Sequence, residues 1–357
     1  MLVAVGGVHG NEPAGALALV RVMERLESHS RLRSGDCVAL AGNLPALAAR
    51  RRFIDEDLNR RFVTESAERV ERDADSVESR EQRELLAALE SVLRDARGPV
   101  VLLDLHTTSG AGAPFAVFAD TMVSRNFARR FPIPVVLGLE EQLAGTLIDY
   151  VGLDGHAAVG FEGGQHEDPE SVDHLEAIVW IALGEMGLVD VEASWLQTER
   201  DKLVRAAAGA PAILEVTYRH AITQEDAFSM LPGFASFETV VAGQTIARDA
   251  RGDVTAPKGG YLLMPLYQKQ GDDGFFIVTK VRSFWLWLSA LLRYARAGRI
   301  AHWLPGVSRV AGEGHRVRVH RAIARWYSLE LLHLLGFRRS AEEGNVLLME
   351  RRAHDLP

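Results

Sequence analysis

The chain has a single cysteine, Cys37, which excludes an intramolecular disulfide framework and any cysteine-rich metal site. A reducing cytosol is the natural compartment for such a sequence, so cytoplasmic residence is expected. No run of about 18 apolar residues occurs, and no segment is expected to span a membrane. The opening MLVAVGGVHG lacks a basic start and a long apolar core, so it does not read as a secretory signal. Positive charge is in deficit: 40 Lys and Arg stand against 48 Asp and Glu, for a net charge of -8. That balance argues against a general nucleic-acid binder, which normally carries a basic face. Internal repeats and low-complexity linkers are also missing. What remains is an ordinary globular composition, 47% hydrophobic and 25% charged over 357 residues, room for one large domain and one or two smaller ones.

Short apolar runs mark buried strands at Leu2–Val5, Val38–Leu40, Pro99–Leu103, Val135–Leu137 and Ala158–Phe161. The first of these opens at Leu2, leaving no room for a strand ahead of it in this sequence. Between the runs, PAGALALVRVMERL, REQRELLAALESVLRDA (80–96) and LEAIVWIALGEM (175–186) carry apolar positions at helical spacing. Buried strands alternating with helices predict an α/β sheet covered on both faces. From 212 to 280 short alternating runs are broken by GQ, RGD, PKGG and GDDG turns, which predicts a small, mostly antiparallel β module. Beyond Val281 the pattern turns helical, through SFWLWLSALLRYARAG and IARWYSLELLHLLGF.

His9-Gly10-Asn11-Glu12 places an imidazole and a carboxylate directly after a strand and Gly6-Gly7. Two histidines and one carboxylate are a good zinc set that leaves a fourth position for water. His106, at the end of VVLLDLH, is the candidate third ligand, because ligands at the carboxyl ends of neighbouring strands converge on one point. Taken singly, either histidine reads equally well as a strand-end residue with a satisfied hydrogen bond. The intervening NLPALAARRRFIDEDLNRRF adds Asn43, Arg52, Asp55, Asp57, Asn59 and Arg60, read either as a solvated charged segment or as substrate-handling groups. One arginine can stabilise an oxyanion, and another with an asparagine can grip a carboxylate. Glu162 closes an apolar strand end before Gly163-Gly164, a setting that raises a carboxylate's pKa and suits a general base. Glu215 and His166 are competing candidates, the first read as structural and the second as a possible pocket residue.

Together His9-x-x-Glu12, Asn43, Arg52, Asp55-x-Asp57-Leu58-Asn59-Arg60, Asp104-Leu105-His106 and Phe161-Glu162-Gly163 resemble the succinylglutamate desuccinylase/aspartoacylase group of the zinc carboxypeptidase superfamily. The resemblance covers roughly residues 2–190 and extends more loosely through PGF, AP-x-x-G and LMPLYQ-x-x-G-x-DGFFIV. It implies a zinc-carboxypeptidase-like mixed α/β sheet flanked by helices (1–200) and a small antiparallel β domain (201–283); the C-terminal helical extension (284–357) is expected from its helical pattern alone and lies beyond the resemblance. It also implies one zinc ion held by His9, Glu12 and His106. Glu162 is then the general base, Arg52 the group that polarises the carbonyl and holds the oxyanion, and Asn59 and Arg60 the carboxylate-binding pair. Asn43, placed with the substrate-binding residues, and Asp57 support this set; Asp104, sharing a strand face with His106, either orients that ligand from behind or is structural.

The expected substrate is a small N-acyl amino acid, hydrolysed at its amide bond. A carboxypeptidase acting on a small peptide, or an inactive zinc-binding interaction module, are the alternatives. No Lys or Arg occurs from Phe131 to Glu199, so a second substrate carboxylate has no counter-charge in the stretch where aspartoacylases resemble one another in carrying an arginine. Leaving such a carboxylate buried and unpaired costs several kcal/mol, which predicts a neutral side chain. VTAPKGGYLLM superficially resembles a lipoyl-type hairpin, but the flanking residues around Lys258 are wrong for a modified lysine. SFWLWLSALLRYARAGR reads as a core or interface helix, with a membrane-surface helix as the other reading. Homo-oligomerisation through this tail is the remaining expectation.

Overall fold

A computed structural model describes residues 1–28, 32–62, 76–153, 155–310, 313–324, 328–352 and 355. The expected apolar runs are strands: Leu2–Gly6 (β1), Cys37–Ala41 (β2), Val101–Thr108 (β3), Val135–Leu137 (β5) and Ala157–Gln165 (β6). Phe115–Phe118 (β4), which no periodicity singled out, inserts between β6 and β5. Ile213–Ala221 (β7) follows. Ser229–Met230 (β8), Thr239–Val240 (β9), Thr245–Asp249 (β10), Gly252–Thr255 (β11), Gly260–Leu263 (β12) and Asp273–Lys280 (β13) come after it.

Ten of these strands form one mixed sheet in the order β2-β1-β3-β6-β4-β5-β7-β13-β12-β9. The β2, β1, β3 and β6 neighbours pair in parallel, β4 runs antiparallel to β6, and β13 runs antiparallel to both β7 and β12. The 212–280 region was expected as a small, mostly antiparallel module, but four of its strands continue the main sheet. Only β8, β10 and β11 form a small sheet of their own. The separation was expected because its turns look local, whereas the pairing of β7 with β5 that joins it to the main sheet is a long-range choice.

Alternation along the central strands explains why they are apolar throughout. Leu2 and Ala4, with Leu103 and Leu105, face one core beside the helices Ala14–Ser28 and Pro169–Glu185. Val3, Val5 and Leu102 face another, beside Val77–Asp95 and Leu147–Leu153. Because neighbours two apart share a face, Asp104 and His106 lie on the Leu102 side of β3. On β6, Gly160 and Glu162 lie on the side of Ala158.

The C-terminal region departs from the helical extension expected. It opens with the helix Ser283–Tyr294 as anticipated. It then builds a four-stranded antiparallel sheet, β14-β15-β17-β16, from Val307–Val310, Glu313–His320, Val346–Glu350 and Arg338–Glu343 respectively. The helix expected over 323–337 is Ser328–Leu334, with residues 325–327 outside the described part. Arg316-Val317-Arg318-Val319 alternates with period two, a strand signal that the neighbouring helical runs overshadowed.

Candidate metal centre and active site

The chain leaves β1 through Gly6-Gly7, and Gly7 takes φ +75°, a turn that side chains resist. Gly10 then lies so close to the helix Leu44–Ala49 that a β-carbon there would stand 2.0 Å from the carbonyl carbon of Ala46. That close approach turns His9 and Glu12 inward, where both are almost fully buried. His106 arrives from the end of β3, and parallel register sets it directly beside Glu162 of β6.

Glu12 joins the two histidines: its Oε1 is 2.9 Å from His9 Nδ1 and its Oε2 is 2.9 Å from His106 Nδ1. Donor atoms of the three residues all lie within 4.8 Å of one another. The far nitrogen of each ring meets a carboxylate. His9 Nε2 is 3.0 Å from Asp57 Oδ1, and His106 Nε2 is 2.9 Å from Asp104 Oδ2, though too oblique for a hydrogen bond. A carboxylate behind each histidine is the arrangement that orients imidazole ligands on a metal. Burial works against a proton on His106, yet Asp104 and Glu12 outweigh it and hold its pKa well above the ordinary value. The pocket therefore calls for positive charge at this point, and a divalent cation fits the donor set.

Arg52 is held against Asp57 by Nε (3.1 Å) and Nη2 (2.9 Å), with Nη1 3.4 Å from Glu12 Oε1. Burial disfavours its charge, but Asp57 and Glu12 overcome that and raise its pKa. Glu162 is buried, and its Oε2 has no hydrogen-bond partner among the described residues. Its carboxyl is pushed up to about 8, chiefly by burial, with the nearby negative charge of Glu12 adding to it.

Asn59 and Arg60 line the same cavity. Asn59 Oδ1 accepts from Leu147 N at 2.9 Å, and Arg60 Nη2 lies 3.3 Å from Asp273 Oδ2, a residue of β13. Asn43, expected with the substrate-binding residues, does not line the cavity. It is fully buried, caps the helix Leu44–Ala49 by accepting from Ala46 N, and donates to Glu78 Oε1 at 3.0 Å. Both ends of its amide are thus occupied by the protein.

Several residues escaped the sequence reading. Glu78 is fully buried and its oxygens accept from the backbone N–H of Ile54, Asp55 and Glu56, so one carboxylate holds the loop that carries Arg52 and Asp57. It sits in the first turn of the helix Val77–Asp95, just ahead of the amphipathic run at 80–96, where a glutamate reads as a solvated residue. Gln268 and Gln270 reach over from the loop before β13: Gln268 Oε1 accepts from Asn11 Nδ2 (2.6 Å), and Gln270 Oε1 accepts from Arg52 N (3.1 Å). His166 does line the cavity, between Thr107 Oγ1 at 2.8 Å and Gln268 Oε1 at 2.9 Å. Glu215 lies away from it, with Oε1 3.8 Å from His333 Nδ1.

The cavity encloses about 950 Å³ including its mouth. Arg52 and Arg60 are the only Lys or Arg side chains lining it among the described residues. The rest of the lining includes the apolar side chains Val117, Phe118, Leu139, Leu143 and Ile148 and the carboxyl group of Glu140.

The family model described as "Succinylglutamate desuccinylase/Aspartoacylase catalytic domain" matches residues 1–169. Among curated proteins, a probable aspartoacylase of Nostoc sp. is 32% identical over 105 residues, 29% of this chain and 34% of that protein. A succinylglutamate desuccinylase of Photorhabdus laumondii is 36% identical over 61 residues, 17% of this chain and 19% of that protein. The match thus spans about a third and about a fifth of these relatives. Among solved structures, the succinylglutamate desuccinylase of Vibrio cholerae superposes with a TM-score of 0.54 at 18% identity, covering 79% of this chain and 81% of that one. The product-bound ectoine utilization protein EutE (DoeB) of Ruegeria pomeroyi does so with 0.57 at 18%, covering 78% and 85%. At such identities these likenesses are of fold. The segment that carries His9, Glu12, His106 and Glu162 is thus the one that matches the succinylglutamate desuccinylase/aspartoacylase catalytic domain.

Proposed function

We propose that the chain is a zinc-dependent deacylase that hydrolyses the amide bond of a small N-acyl amino acid with a neutral side chain. The observation that carries this reading is the placement of Glu162. An unpartnered buried carboxyl, with its pKa pushed up to about 8, stands in register beside His106 at the edge of the His9–Glu12–His106 cluster. The match of residues 1–169 to the succinylglutamate desuccinylase/aspartoacylase catalytic domain supports the deacylase class.

His9, Glu12 and His106 would hold the metal, with Asp57 and Asp104 fixing the two rings. A zinc ion at that position supplies Lewis-acid chemistry, acidifying water and polarising a carbonyl. Glu162 takes the proton from the attacking water and returns it to the departing amine nitrogen. Arg52, kept cationic and aimed by Asp57, stabilises the negative charge that grows on the carbonyl oxygen. Arg60, assisted by Asn59, binds the carboxylate of the amino-acid part, displacing its contact with Asp273.

The substrate's neutral side chain follows from the charge of the walls. Beyond Arg52 and Arg60 the lining offers apolar surface and the acidic residues Glu140, Asp272 and Asp273, with no further Lys or Arg among the described residues to pair a second substrate carboxylate. The decisive experiment combines metal analysis with a panel of N-acyl amino acids and dipeptides, scoring free amine. Near-stoichiometric zinc in both wild type and Glu162→Gln, with hydrolysis only in the wild type and preference for neutral side chains, is the expected result. A preference for N-acetylaspartate overturns the substrate assignment; hydrolysis near the wild-type rate in the variant overturns the mechanism.

A further inference from the structure

The helix Ser283–Tyr294 reverses the usual arrangement of a surface helix. Its one charged side chain, Arg293, is the one it buries, with Nη2 2.5 Å from Asp120 Oδ2 and Nη1 3.1 Å from Asp355 Oδ1. Leu286 and Ser289 share that inner face, and Ser289 Oγ donates to the carbonyl of Leu334 at 2.8 Å. These contacts fix the rotation of the helix. Phe284, Trp287, Leu291 and Tyr294, spaced i, i+3, i+7 and i+10, are consequently turned to solvent as one stripe. The segment Ala297–Trp303 packs against this helix and adds exposed Ile300 and Trp303. The six side chains are 49–75% exposed. An apolar patch of this size on a protein surface marks an interaction site.

Charge points to what it meets. Between Asp273 and Glu313 the sequence has no acidic residue and six basic ones, in a chain of net charge -8. Arg282 before the stripe, and Arg296 and Arg299 after it, are exposed. An isologous contact with a second copy would set this basic segment against itself. Aromatic and leucine side chains flanked by arginines are instead the signature of a helix lying in a bilayer interface, where the rings sit at headgroup depth and the cations meet lipid phosphates. Twelve residues are too few to cross a bilayer, and no described helix is long and apolar enough to do so.

We propose that this face docks the protein on an anionic lipid bilayer, with Phe284, Trp287, Leu291 and Tyr294 seated in the interface and Arg282, Arg296 and Arg299 on the phosphates. The test is flotation of the full chain with vesicles of phosphatidylcholine alone or phosphatidylcholine mixed with phosphatidylglycerol, joined to tryptophan quenching by brominated acyl chains. The wild type should float with the mixed vesicles and show quenched emission. Arg296→Glu/Arg299→Glu and Trp287→Ser/Trp303→Ser should each weaken binding about tenfold or more, while melting temperature and hydrolysis in solution stay unchanged. Absence of flotation, equal binding to neutral vesicles, or undiminished binding by both variants overturns the proposal. So does light scattering that shows a dimer dissolved by Trp287→Ser without any vesicle binding, which would assign the face to a second copy.

Discussion

Three carboxyl groups in the cavity region illustrate how environment assigns different work to the same chemistry. Glu162, unpartnered and buried, is held toward the neutral form; Glu162→Gln should lower kcat by about 10²–10⁴, the usual range for a lost general base, with zinc content unchanged by elemental analysis. Asp57 is buried too, but Arg52 and His9 outweigh burial and keep it well below the ordinary carboxylate range. Its oxygen on His9 Nε2 orients a proposed ligand, so Asp57→Asn should weaken zinc binding by about 10–100-fold in a chelator competition. Glu140 has its carboxyl pushed up to about 8 by burial, and Arg338 Nε, at 3.5 Å from Oε1, does not hydrogen-bond it. Its folded pKa lies above the unfolded value of 4.5, so the folded state binds its proton more tightly. Stability associated with that proton is present at low pH and falls away as pH rises from about 4.5 to about 8. Glu140→Gln removes that loss: its melting temperature should gain on the wild type as pH rises through this window, by about 2 °C for each kcal/mol relieved.

At the scale of elements, a buried ionic cluster ties the C-terminal region to the sheet domain, beside Arg352 on Asp149 and Leu286 in the main core. Asp120, just after β4, is fully enclosed and accepts from Arg125, from Arg293 of the aromatic helix and from Arg338 of β16. Those three cations outweigh burial and hold its carboxyl well below the usual range. Removing one partner of a buried pair leaves the others uncompensated, so Arg293→Met should cost about 3 kcal/mol in urea unfolding. Asp120→Asn should also loosen the C-terminal region. Its signature is earlier proteolysis after residue 283, with the sheet domain still intact. The loop 52–60 leans in the same way on Glu78, whose three backbone donors lose their shared acceptor in Glu78→Leu. Arg52 and Asp57 then lose their positions without being mutated, and hydrolysis should fall while the helix Val77–Asp95 persists by circular dichroism.

For the whole molecule, the proposed metal couples folding to the site. Its three ligands come from two separate segments, the loop after β1 and the end of β3, and an ion binding only the folded state stabilises it by about 3 kcal/mol at a hundredfold excess over Kd. Chelation should therefore lower the melting temperature by about 6–12 °C, taking 2–4 °C per kcal/mol, and zinc should restore it. Failure of zinc to shift the transition would separate the cluster from metal binding.

The half that carries the candidate site was legible because its information is local. His9-x-x-Glu12, Asp104-x-His106 and Glu162 each sit at the end of an apolar strand, and strand ends on one sheet face converge whatever surrounds them. The residue types and their order along the chain sufficed to bring the three candidate ligands together. Tertiary structure decided everything that depends on pairing between distant segments. It turned Asn43 away from the cavity and onto Glu78, laid Asp273 against Arg60, and joined β7 and β13 to the main sheet. It also built strands where a helical tail was expected. The same cause exposed the aromatic helix: SFWLWL is apolar enough for a core, but burial of Arg293 against Asp120 and Asp355 fixes which side faces inward. Those two partners lie 173 and 62 residues away along the chain, and local periodicity carries no record of them.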